Sequence, residues 1–440
     1  MYRSNLWIID DILSELKELK KNKKYFKKPT NFTRDCVFKF EMIFCLIIDM
    51  PRKSLSVEID KALTKFNKLL NENKEGAKSG FCKARKKIKP ELFIHIHETL
   101  VDLFYCAKNS VQLKKWKGFY LLAIDGSVVD LIDTEEVREK FGAQIHQYGS
   151  QVQGRMMVAY DVVNRIIKKC TLESYFTGEI TIVKEWISSM GQDSLCIYDR
   201  LFPSLELMCI HNNNKVPYLM RSKLTFNNHV KKFEASGKKD VVQDWEITDK
   251  VRLKMKKRGI NIKCGATLKV RLIKIILDSG EVEILITSLT DKQKYPHKIF
   301  KKLYFKRWGV EVKIGFLKNI LQMELTSGRS VETIIQDFYG TIIRANIQSL
   351  IESDCEKEIK QINKKRKLNY QVNSSVAAGF LKNKIADLFY SPNREIVYQK
   401  MIRLFTKNLE PIRDHRELPR KKSSTGTGKY RPLKNYKKIA

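Results

Sequence analysis

Three acids in three separate settings carry the most chemical potential in this chain. Asp125 lies inside the apolar run GFYLLAIDGSVVDL and is followed by Gly126 and Ser127. Asp199 ends a second apolar run, SLCIYD, and leads into a turn holding Pro203. Glu311 sits in LYFKRWGVEVKIGFLK, residues 303–318. Carboxylates brought together repel, and each raises the pKa of the others. A divalent cation removes that penalty. An all-oxygen set with no Cys or His suits Mg2+ or Mn2+. Two such ions about 3.5–4 Å apart activate an attacking oxygen and stabilise a leaving one. Any one of these acids alone is weak evidence, because aspartates at strand ends are commonly turn formers or helix caps.

The segment around Glu311 adds a pattern. On an ideal helix, Arg307, Glu311 and Lys318 fall within about 60° of Tyr304, along a stripe roughly 20 Å long. Leu303, Val310, Ile314 and Leu317 form one apolar flank, and Phe305, Trp308, Val312 and Phe316 the other. Lys302, Lys306 and Lys313 lie opposite and already supply the one polar face an amphipathic helix needs. A second polar stripe between apolar walls is costly unless its charges meet charge. The plainer alternative is an Arg307–Glu311 pair on a solvated face. On the first reading Glu311 is a metal ligand, and Arg307 and Lys318 hold phosphates on either side. Tyr304 donates to a phosphate or stacks on sugar.

The elements that must position these residues follow from the texture of the chain. Residues 1–115 read as short helices, forming a DNA-binding region in which Lys83, Arg85, Lys86 and Lys87 make a basic face. The alternative for that run is an ordinary solvated surface. From 116 the chain reads as strands, with GRMMVAYDVVNRIIKKC turning at Asn164–Arg165. A helix follows in EITIVKEWISSM, then a strand to Asp199, a helix, and a strand in VPYLMRSKLTF. The block 216–295 is rich in Val, Ile and Lys and reads as a β-strand insertion, with a turn at Asp278–Ser279–Gly280. The helix of the stripe is introduced by Pro296. Residues 351–419 read as helical and basic, and 420–440 as a disordered basic tail without an acid or a core.

Composition narrows the partner. The 440 residues carry a formal net charge of +35, which favours a polyanion, nucleic acid ahead of an anionic membrane surface. No apolar run approaches the roughly 18 residues of a membrane span. Acids fill the place a signal peptide would make apolar. Nine scattered cysteines with no CxxC pair read as a reduced, cytoplasmic protein with neither a zinc site nor a disulfide scaffold. His95 and His97 are two apart, on different sides of a helix, and suit core or surface roles.

Together these motifs resemble the DDE transposases of bacterial insertion sequences, of the IS-four type. That family carries a Y-x2-R-x3-E-x6-K signature, matched by Tyr304, Arg307, Glu311 and Lys318 at every spacing. Its first acid sits in a strand before small residues, as in AIDGS, and its second in a turn like YDRLFPS. ITSL, ahead of the signature, is also similar. The resemblance spans roughly 118–350 and is loose outside it. It implies an α/β fold with a ribonuclease-H-like mixed-sheet core over 116–215 and 296–350, flanked by helical regions. It also implies a β-rich insertion, for which the 112 positions from Asp199 to Glu311 leave room.

The implied reaction is metal-dependent cleavage at transposon ends, then attack of the free 3′-OH on target DNA. Asp125, Asp199 and Glu311 are the catalytic and metal-binding residues on this reading, with Mg2+ or Mn2+, as two ions, the cofactor. Tyr304, Arg307, Lys318 and Arg200 contact DNA. The expected partner is double-stranded DNA, both terminal inverted repeats and target, held by a homodimer at the nucleoid. Some members pass through a DNA hairpin aided by an aromatic side chain of the insertion. Trp245, the one tryptophan there, suits a core position better than a base wedge. Two other readings stay open: a metal-dependent nuclease on the same core, and a non-catalytic DNA-binding descendant, which has little reason to retain a carboxylate cluster.

Overall fold

The computed structural model describes residues 4–49, 54–106, 113–146, 149–277 and 280–412. These divide into two compact units, one drawn from 1–111, 129–154 and 315–440, the other from 112–128 and 155–314. The tail expected at 420–440 and the turn residues Asp278 and Ser279 lie outside the described residues.

The first unit begins with five helices: α1 (Leu6–Asn22), α2 (Phe40–Asp49), α3 (Leu55–Leu70), α4 (Lys78–Arg85) and α5 (Glu91–Tyr105). In chain order there follow β1 (Tyr120–Asp130), α6 (Glu135–Phe141), β2 (Ala143–His146), β3 (Gly149–Asp161), β4 (Ile166–Ser174), α7 (Glu179–Trp186), β5 (Ser194–Tyr198), α8 (Leu205–Asn213) and β6 (Tyr218–Ser222). The insertion holds α9 (Asn228–Ala235), β7 (Asp240–Glu246), α10 (Asp249–Lys257), β8 (Thr267–Ile276) and β9 (Val282–Thr287). The rest comprises α11 (Phe300–Phe305), α12 (Trp308–Gly315), α13 (Val331–Lys364), β10 (Tyr370–Val372), α14 (Ser374–Leu381), α15 (Ile385–Tyr390), α16 (Arg394–Lys407) and β11 (Leu409–Pro411).

In the first unit, α13 is the axis. Its middle, from Phe338 to Leu350, is buried throughout, because α2, α5 and α16 pack around it. The basic face expected on α4 is interrupted at Arg85. That side chain is only 2% exposed and spends its donors inside, on Gln336, Ser327, the Thr333 carbonyl and Asp337. Lys83 and Lys86 are exposed. Arg85 therefore ties α4 to α13, while its neighbours keep a solvent face.

β1 to β9 form one mixed sheet. Its central order is β4-β3-β1-β5-β6, with β5 parallel to both β1 and β6, the order of a ribonuclease-H-like core. The hairpin between β3 and β4 closes where Arg165 takes a φ of 60° and Asp161 accepts from the backbone N–H groups of Val163 and Asn164. The insertion extends this sheet: β9 pairs antiparallel with β6, then β8 with β9 and β7 with β8. It is not purely β. α9, capped by Asn227, and α10, which buries Met255 beneath a charged exterior, cover its strands. Trp245 on β7 is 2% exposed and stacks on His229, a core position.

Side chains alternate across the sheet as the two-residue period requires. Leu122, Ile124, Cys196, Tyr198 and Met220 face the core under α7, α8, α9 and α10. Leu121, Leu195, Ile197 and Leu219 face the core that receives Phe300, Leu303 and Tyr304 of α11.

Candidate active site

The site is built at the carboxyl ends of parallel strands, where open α/β sheets commonly bind ligands. The last registered partners of β1 and β5 are Ile124 and Tyr198. Asp125, within β1, and Asp199, just past the end of β5, are the residues that follow this pair, so the two acids stand side by side where the strands part. By alternation both share the face of Leu121, Leu195 and Ile197, onto which α11 packs. Asp199 caps its own turn, its carboxylate accepting the Arg200 N–H. Phe202 is buried behind it and Ser204 caps α8, so the turn is anchored at both ends. Arg200 itself is exposed.

Glu311 arrives on α12 and meets Asp125 through Arg307. The Arg307 guanidinium bonds Glu311 through Nη2, and its Nη1 lies 3.7 Å from Oδ2 of Asp125. Arg307 is 8% exposed, and its Nη1 has no hydrogen-bond partner. Burial opposes its charge, but Tyr304, Glu311 and Asp199 outweigh that and its pKa is raised. All three acids thus bear on one guanidinium. Burial pushes the Asp125 carboxyl up to about 6, opposed by Arg307 and the Gly126 N–H and reinforced by Glu311 and Glu179. Tyr304 is likewise buried, its hydroxyl has no hydrogen-bond partner, and burial raises its pKa.

The stripe is not one ideal helix. α11 ends at Phe305, and the N–H groups of Lys306, Arg307, Gly309 and Val310 bond three residues back, tightening the chain between α11 and α12. Gly309 permits this approach: a Cβ there would stand 3.2 Å from the Val162 side chain. From Phe316 to Ile320 the helix widens into a π-turn. Lys318 lies in that turn and pairs with Glu324 at 2.9 Å, so the azimuth of an ideal helix does not apply to it. The expected flanks also change. Phe305, Trp308 and Val312 are 74%, 46% and 59% exposed, whereas Lys313 is buried with its ammonium over the Tyr160 ring. Solvent lies on the Phe305–Val312 side, and Tyr304, Arg307 and Glu311 run along the boundary of the buried side.

No group of three or more His, Cys, Asp and Glu side chains stands ready as a metal cage among the described residues. The donor chemistry nonetheless fits a hard divalent cation. Every donor is a carboxylate oxygen, and Arg307 supplies between Asp125 and Glu311 the positive charge that such acids require. Sequence reasoning missed four neighbours. Glu283 on β9 is 6% exposed, pairs with Arg221 at 2.9 Å, and its charge acts on Tyr304. Glu179, at the start of α7, pairs with Arg155 and lies against Gly126. None of the four falls in a spacing that sets it apart from ordinary surface charge.

Comparison with known proteins bears on the family of the chain. The chain is similar to "Transposase InsG for insertion sequence element IS4" of Escherichia coli K12, 23% identical over 281 residues, 62% of this chain and 60% of that one. It thus spans about three fifths of that curated relative's length. A solved piggyBac transposase synaptic complex with hairpin DNA aligns with 90% of this chain and 82% of its own, at 11% identity and a TM-score of 0.42, too loose a likeness to bear on the assignment. The profile of the "Transposase DDE domain" family matches residues 116–347, more than half of the sequence and every strand of the sheet, and the chain belongs to that family.

Proposed function

We propose that this protein is a transposase that cleaves DNA at the ends of an insertion sequence and joins the freed 3′ ends to target DNA. The reading is supported best by the Arg307 guanidinium held between Asp125 and Glu311, with Asp199 following the strand beside Asp125. On this reading residues 1–115 form a helical DNA-binding region, 116–215 and 296–350 the catalytic core, 216–295 a β-strand insertion, and 351–419 a helical C-terminal region. The three acids hold Mg2+ or Mn2+ as two ions. Such a pair, when bound, supplies the charge that activates an attacking oxygen and stabilises a leaving one.

The chain's own residues do the rest. With Asp125 and Glu311 engaged as ligands, the Arg307 guanidinium would be free to donate to a phosphate oxygen through Nη1, which lacks a hydrogen-bond partner. Tyr304 offers its buried hydroxyl to the same backbone. Lys318 and Arg200 are further phosphate contacts. The net charge of +35 supplies the long-range attraction to double-stranded DNA. A homodimer engages the paired ends.

A strand-transfer assay with pre-cut ends tests the reading. Joined products in Mg2+ support it. Cutting without joining would leave a nuclease on the same core, and binding without cutting a non-catalytic DNA-binding protein.

A further inference from the structure

A fourth carboxylate reaches this site from the opposite side of the sheet. Glu179 opens α7, and its carboxylate lies against the backbone of Gly126, the residue after Asp125. A Cβ added at Gly126 would stand 2.5 Å from Oε1 of Glu179 and 2.7 Å from Sδ of Met157. Only glycine lets the carboxylate come so close to β1. Glu179 is held there by Arg155, whose Nη1 donates to Oε1 at 2.8 Å while Nη2 donates to the Tyr175 carbonyl at 3.1 Å. Both side chains are largely shielded, 22% and 19% exposed. Asp125 is thus flanked by two arginine–glutamate pairs, Arg307–Glu311 from α12 and Arg155–Glu179 from α7.

A carboxylate held against the residue after Asp125, its charge opposing ionisation of that acid, is a poor arrangement for stability alone. A leucine at 179 would bury apolar surface against Met157 with no charge to compensate. Two further observations point to a ligand. Arg307 Nη1 and the Tyr304 hydroxyl, on residues each 8% exposed, have no hydrogen-bond partner beside the same acids. They await an anionic group, and an anion beside three carboxylates needs a cation between them.

We infer that Glu179 is a fourth oxygen ligand of the divalent-cation site, released to the ion at Asp125 from its resting partner Arg155. The inference rests on the metal-site reading of Asp125, Asp199 and Glu311. Glycine at 126 is part of the device, since any side chain there would push the Glu179 carboxylate off the strand end.

Mn2+ binding to the full chain without DNA, read by electron paramagnetic resonance of the free ion, tests this separately from activity. Asp125→Asn serves as the control for the site itself. Glu179→Gln should weaken Mn2+ binding by about 10- to 100-fold, the loss typical of removing a supporting or direct ligand, with its melting temperature close to that of the wild type. Glu179→Asp keeps the charge but withdraws it by one methylene, and should fall between the two. Tight Mn2+ binding by Glu179→Gln, while Asp125→Asn binds poorly, overturns the inference and leaves the three-acid site standing. Unchanged binding in both variants overturns the metal reading and this inference with it. If Glu179→Gln does not fold, Glu179→Asp decides, and wild-type affinity in that variant counts against the role.

Discussion

Nη1 of Arg307 stands 3.7 Å from Oδ2 of Asp125, near enough to neutralise the carboxylate and without a hydrogen bond to it. The pairing is loose on the Asp125 side and tight on the Glu311 side, where Nη2 is hydrogen-bonded. A guanidinium so placed holds the acids together in the absence of a cation and is poised to leave one of them.

The titration of Asp125 gives a first prediction. Burial raises its carboxyl from 3.8 to about 6 against the pull of Arg307. A raised pKa on an acid means that folding takes up a proton between those values. The group favours folding most below about pH 4, and that contribution is lost as the pH rises through about 6. The difference is on the order of 2–3 kcal/mol. Asp125→Asn, neutral at every pH, should therefore melt higher than the wild type at pH 8 and lose that advantage at pH 4.5. Thermal melts of both proteins at both values check this, and an Asn variant that melts lower at pH 8 contradicts it.

Three positively charged residues of one segment should behave differently. Arg307→Ala should weaken cleavage and end-complex formation by about one to two orders of magnitude, the loss of a charge-assisted contact worth ~1.5–3 kcal/mol. Lys306 is exposed, and Lys306→Ala should change neither DNA binding nor melting temperature appreciably. Lys313 is buried over Tyr160, so Lys313→Ala should lower the melting temperature and spare DNA binding. DNA affinity and melts of the three variants separate these outcomes. If Arg307→Ala and Lys306→Ala bind DNA alike, Arg307 is only a helix-supporting partner of Glu311.

Within α4, Arg85 and Lys83 should part company in the same way. Arg85→Ala removes a guanidinium that is itself only 2% exposed and leaves the half-buried Asp337 without its ion-pair partner, and should destabilise by roughly 3–5 kcal/mol. Lys83→Ala should leave the melting temperature unchanged and weaken only DNA binding. Chemical denaturation of both variants checks this; equal, small effects would return Arg85 to the solvated surface.

DNA affinity should fall steeply with salt. Counterion release gives a log–log slope of about −0.9 for each phosphate contacted. A chain of net charge +35 should contact several per protomer. Titrations between 50 and 200 mM salt measure the slope, and a value near zero contradicts an extended DNA interface.

How far the sequence foretold these features depended on the range of the interactions. Asp125 and Asp199 are legible because one interrupts an apolar run before Gly126 and Ser127 and the other ends such a run before a turn, both local signals. Glu311 and its neighbours were legible from spacing. The exposure of Trp308 and the burial of Lys313 were not, because a helical wheel fixes which residues share a face, while tertiary contacts decide which face meets solvent. The tight turns between α11 and α12, where Gly309 lies close to Val162, and the π-turn at Lys318 are hidden for a related reason: local spacing does not set such departures from the ideal helix. The block around α9 and α10 reads as strand because it is rich in Val, Ile, Lys and Gly, yet the cap and charges inside it favour short helices. Arg85 and Glu179 look like surface charge in sequence. Only packing shows that each is enclosed.

The most direct test of the account is cleavage of a supercoiled plasmid carrying the gene with its flanking DNA, compared between wild type and Asp125→Asn, with Mg2+ or with EDTA. The wild type in Mg2+ should give breaks with free 3′-OH ends at the element's termini, with none in EDTA or with Asp125→Asn, which should still bind the DNA. Cleavage in EDTA, or undiminished cleavage by Asp125→Asn, would contradict it.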